Sequence, residues 1–167
     1  MIQILLTTVM GISLSNLAFA QTTATCLDLS GTYLIDRGLL GMSGIPEGQT
    51  ALEIAQTGCD QVLIAGHHLD LDLWTDGFEK TTWKKGAKGS SVEESTRAWS
   101  TAKGLLITQR EENTPKGAWL PTTITNTTLR IELDPSDALV VSKEVVWKNS
   151  SGATGRFFRF ARGTRIR

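Results

Sequence analysis

Hydrophobic residues after residue 20 fall at every second position in short runs, and Gly, Asp, Asn and Pro break these runs about every ten residues. Such a run places apolar side chains on one face of a strand and polar ones on the other. The pattern predicts strands over 29–36, 50–57, 61–66, 68–75, 92–100, 104–111, 119–133, 138–148 and 154–162. Between them, "TGCD" at 57–60, "AKG" at 102–104, "DPSD" at 134–137 and "NSSG" at 149–152 carry turn chemistry. No segment after residue 20 keeps a helical period. The predicted fold is all-β: an antiparallel up-and-down meander of eight or nine strands closed into a small barrel, which leaves no edge bare. Two longer Gly-rich connections, 37–49 and 76–91, are the places where such a fold carries binding loops. Within 119–133 the apolar phase shifts between Ile124 and the set Leu129, Ile131 and Leu133, which predicts a bulge near Asn126.

A length of 167 residues suits one domain. The opening "MIQILLTTVMGISLSNLAFA" is apolar and ends in Ala18-Phe19-Ala20, the small-x-small pattern of a cleavage site, although it lacks the usual basic start. Residues 1–20 are therefore read as a signal peptide and 21–167 as a single β-barrel domain, exported to the periplasm or secreted. Ser13, Ser15 and Asn16 interrupt the apolar run short of the roughly 20 residues of a spanning helix, so no membrane span is expected in the mature form. In an exported chain the two cysteines, Cys26 and Cys59, predict a disulfide. The meander agrees, because the start of its first strand and the end of its second lie at one end of the barrel. Basic and acidic residues number 17 each, and a zero net charge argues against nucleic acid as a partner.

Chemistry is sparse. In "HHLDLDLWTDG", 67–77, strand alternation puts Leu69, Leu71 and Leu73 inward and leaves His68, Asp70 and Asp72 in a solvated row roughly 7 Å apart, too far for one ion. No metal and no cofactor are expected. There is no Gly-x-Ser-x-Gly, and the adjacent acids Glu93-Glu94 and Glu111-Glu112 point to opposite faces, so the chain is not read as an enzyme. The tail "GRFFRFARGTRIR" concentrates Arg156, Arg159, Arg162, Arg165 and Arg167 with no acid, and reads as a last strand whose arginines cover the barrel floor. Following the strand directions, Trp74, Trp119 and Trp147 form an aromatic cluster at the disulfide end, with Trp99 opposite.

"CLDLSGTYLI" on the first strand and "RFFRFAR" on the last resemble the two ends of a calycin-type barrel, the group of the lipocalins and avidins. In that group a Gly-x-Trp on strand one packs against an arginine of the last strand. The resemblance makes Gly31, Tyr33 (in place of the tryptophan) and Arg159 or Arg162 the closure of the barrel. It implies a lipocalin-like barrel binding a small apolar ligand, entered past the apolar lid of Leu39, Leu40, Met42 and Ile45, with Tyr33 and Trp99 as further ligand contacts. Tyr33, Ile54, Ile64, Leu71, Ile107, Ile131, Val141 and Phe158 would line the interior. The alternative is a protein-binding module of the cell envelope, similar to exported barrel inhibitors of proteases.

Overall fold

The computed structural model describes residues 25–36, 49–66, 70–117 and 119–166. Ten strands follow one another: β1 (Gly31–Asp36), β2 (Gln49–Thr57), β3 (Gln61–Ala65), β4 (Leu71–Trp74), β5 (Lys80–Lys85), β6 (Ser91–Thr101), β7 (Gly104–Thr114), β8 (Thr123–Leu133), β9 (Leu139–Asn149) and β10 (Thr154–Arg165). All pair antiparallel in one curled sheet of order β4-β3-β2-β1-β10-β9-β8-β7-β6-β5. The all-β meander is as expected, and two features of the expectation are corrected. Among the described residues there are ten strands rather than eight or nine, and their sheet is a half-barrel rather than a closed barrel.

Both corrections trace to β5. Its six residues, "KTTWKK", are all exposed, so neither face carries the apolar alternation that marks a half-buried strand. With ten strands running alternately up and down, the first and last are antiparallel and can pair, as Tyr33 with Arg165 and Ile35 with Gly163 do. An odd count would have set them parallel. The opening lies elsewhere: β4 and β5 are consecutive yet share no ladder. Near the junction Asp76 forms an isolated bridge with Trp99, and the Gly77 N–H donates to the Ala98 carbonyl at 3.0 Å, after which β5 continues along β6.

One end of the sheet holds the core. Leu29, Tyr33, Ile35, Leu52, Ile54, Val62, Ile64 and Leu73 from the first part of the chain pack against Ala98, Leu105, Ile107, Leu129, Ile131, Leu139, Val141 and Ala161 from the second. The Cys26–Cys59 disulfide, with Cα atoms 5.6 Å apart, ties the segment before β1 to the β2–β3 turn at this end. Beside it Tyr33 is fully buried, and its hydroxyl donates to the Leu29 carbonyl at 2.9 Å. That hydroxyl also accepts from Arg165 Nη2 at 2.7 Å and Nε at 3.2 Å, and the guanidinium lies 5.3 Å from the Tyr33 ring centre. Arg165 reaches the Ser30 carbonyl at 3.1 Å as well. The arginine on Tyr33 is therefore Arg165, not Arg159 or Arg162: strand parity and the β1–β10 register place 165 opposite 33. Gly31 leaves room for it, since a Cβ there would stand 3.2 Å from Arg165 Nε.

The bulge expected near Asn126 is absent. β8 pairs residue for residue with both β7 and β9 from Thr123 onward. Ile124 simply points to the convex face, because the inward positions beside it are the threonines 123, 125 and 127.

Candidate functional site

The inner face changes character along the strands. The ladders of β6 to β10 align inward side chains in rows across the sheet. Nearest the disulfide end the row is Ser100, Leu105, Ile131, Val141 and Ala161. Next come Ala98, Ile107, Leu129, Lys143 and Arg159, then Thr96, Gln109, Thr127, Val145 and Phe157. The fourth row is Glu94, Glu111, Thr125, Trp147 and Gly155. β6 to β10 have 11 or 12 residues each, whereas β1, β3 and β4 have four to six, so these last rows rise beyond the shorter strands as an open trough, polar on β6–β8 and walled by Val145, Trp147 and Phe157 on β9 and β10.

Within the trough Glu94 accepts from Lys84 Nζ at 2.8 Å and from Gln109 Nε2 at 2.7 Å. Glu111 stands directly across the ladder from Glu94. Like charges facing each other on one side of a sheet are unfavourable, so this pair is not what packing alone would select. The Trp147 indole lies across Gly155, where any Cβ would collide with it. Beneath the polar rows, Leu71, Thr96, Ile107, Gln109, Thr127, Leu129 and Lys143 surround a cavity of about 70 Å³. Larger openings lie outside the sheet. A groove of about 350 Å³ crosses the convex face of β6–β8, where Arg97 is bonded to Glu79 and Arg110 to Glu112 at 2.5 Å.

The expected site residues are dispersed. Tyr33 sits in the core with its hydroxyl satisfied. Trp99 lies on the convex side at the disulfide end, against Gly77, rather than at the far end. Trp74, opposite Gln61, is at the disulfide end, whereas Trp147, opposite Gly155, and Trp119, in the β7–β8 connection, belong to the other. The missed β5 accounts for this, since one omitted strand reverses the direction assigned to every later one. Phe158 faces outward and Phe157 inward. Arg159 stacks over Phe157 at 5.7 Å, and Arg162 pairs with Asp134. Leu39, Leu40, Met42, Ile45, His67 and His68 lie outside the described residues. Among those described, no group of three His, Cys, Asp or Glu could hold a metal ion, and no helix is long and apolar enough to cross a membrane.

No family model, curated protein or solved structure matches the chain. The trough itself was missed because reading each strand alone shows only alternation. Its signal was the row of polar residues at inward positions, Glu94, Thr96, Gln109, Glu111, Thr125 and Thr127, which emerges once the registers align them.

Proposed function

We propose that this chain is an exported, calycin-like binding barrel that takes a small amphipathic molecule in the open trough rather than an apolar ligand inside a hollow core. One observation carries the reading: inward positions switch from apolar to polar half-way along β6–β8, from Ala98, Ile107 and Leu129 to Thr96, Gln109, Thr127, Glu94, Glu111 and Thr125, where a purely structural barrel keeps them apolar. The apolar part of the ligand lies on Leu71, Ile107 and Leu129, above the filled core. Its polar part meets Glu94, Gln109, Glu111 and Lys143, consistent with sites that combine apolar walls with a few convergent polar groups. A 70 Å³ void is too small to enclose such a molecule, so binding uses the trough above it.

A second reading, the protein-binding module, draws on the filled core and on Trp119, 82% exposed beside the half-exposed Leu120. Native mass spectrometry of the mature protein, taken gently from its exported fraction, separates the two. A retained small mass, lost on denaturation and absent from a folded Thr127→Trp variant, is the result expected for the trough. A bare mass in every preparation rejects a tightly held ligand and favours the module.

A further inference from the structure

A net charge of zero conceals a strong internal asymmetry. Residues 139–167, the β9–β10 hairpin and the last two residues, carry seven lysines and arginines against one acid, Glu144; the rest of the chain carries ten against sixteen. On the convex face, alternation along β10 sets Arg156, Phe158, Phe160 and Arg162 in one row, two aromatics bracketed by two guanidinium groups. Phe158 is 57% exposed and Phe160 44%, with the exposed Val146 directly across from Arg156. Most apolar residues of that size on a sheet face are covered, and here the cover is missing from a strand whose inward side already packs at Ala161.

Charge divides the possible occupants. Arg156 is bonded to Glu144 at 2.6 Å and Arg162 to Asp134, yet both guanidinium groups stay more than half exposed. Arg159 lies on the inner face instead, stacked over Phe157. Lys148 is exposed on the same convex face as Val146. The face is thus basic and aromatic at once, with its single acid already paired.

We propose that the convex face of β9–β10 docks on an anionic lipid bilayer. Phe158 and Phe160 enter the headgroup boundary, while Arg156, Arg162 and Lys148 face lipid phosphates, the combination that holds peripheral proteins on acidic membranes. Charge complementarity argues for lipid, since a neutral apolar partner would bury the exposed Lys148 ammonium and the more than half-exposed guanidinium groups of Arg156 and Arg162 away from water. This inference is independent of the trough, which opens on the opposite face.

The test is flotation of the mature protein with vesicles of phosphatidylcholine alone and of phosphatidylcholine mixed equally with phosphatidylglycerol, at low and high salt. Binding is expected to the mixed vesicles only and to fall with salt. Phe158→Ser/Phe160→Ser and Lys148→Gln/Arg156→Gln should each weaken it roughly tenfold or more. Circular dichroism checks that both variants fold; should either not, Lys148→Gln and the salt series still report on the charge. Equal binding to neutral vesicles, or none to anionic ones, overturns the proposal. So does self-association of the free protein that Phe158→Ser/Phe160→Ser abolishes, since the face would then be an interface between copies.

Discussion

Asp134 and Asn149 build their turns by one device. The Asp134 carboxylate accepts the Ser136 N–H at 2.8 Å, the Ser136 hydroxyl at 2.6 Å and the Ala138 N–H at 3.1 Å. Asn149 Oδ1 accepts the matching groups of Ser151 and Ala153 at 3.2, 2.8 and 2.9 Å. Each turn then puts its fourth residue in the left-handed region, Asp137 at φ 63° and Gly152 at φ 92°. Aspartate is among the few residues besides glycine that tolerate this. The Ser136 hydroxyl foremost, then the two backbone N–H groups and Arg162, lower the Asp134 carboxyl to about 2. A depressed folded value means that this contribution is complete above the unfolded pKa of about 4 and is lost as pH falls from there through about 2. Asp134→Ala should therefore lower the thermal midpoint at neutral pH, and its deficit should shrink across that acid window. A deficit that stays constant to the bottom of the window would show that the charge contributes nothing. The turn chemistry was legible in "DPSD" and "NSSG"; the link from Asp134 to Arg162 was not, because the two are 28 residues apart and meet only in space.

Among the strands, pairing predicts mobility. β9 is laddered along its whole length to β8 and β10, whereas β5 pairs with β6 alone and is exposed throughout. Its lysines suit a strand that must resist pairing with another chain. Hydrogen exchange should find the outward-facing amides of β5 among the fastest of the strands and the β9 amides near the global limit. Slow exchange along β5 would mean that the seam toward β4 is closed in solution. The same lack of burial that makes β5 labile hid it from the amphipathic pattern. By contrast, β2, β3 and the apolar half of β7 were read almost to their ends, because each buries one face on the core.

For the molecule as a whole, two devices hold the first strand to the rest. The disulfide anchors residue 26 to the β2–β3 turn, and Arg165 joins β10 to Tyr33 and Ser30. Cys26→Ser/Cys59→Ser should cost around 3–4 kcal/mol in urea unfolding. Arg165→Gln should cost roughly 1–3 kcal/mol, since it strips a partner from the buried Tyr33 hydroxyl. Combining them should be less than additive, because both restrain residues 26–33 on the same sheet. Full additivity would show that the two act on separate parts of the fold.

What the chain determined by itself is what depends on neighbours along it. A period of two requires strands, Gly, Asp and Asn place the turns, and short turns make the meander that carries Cys26 to Cys59. The number of strands, the seam between β4 and β5, the choice of Arg165 over Arg159 or Arg162, and the polar trough were decided only in three dimensions. Each rests on pairing between strands that the chain separates by up to 132 residues. Register is set by the energy of the whole sheet, so no single strand carries it.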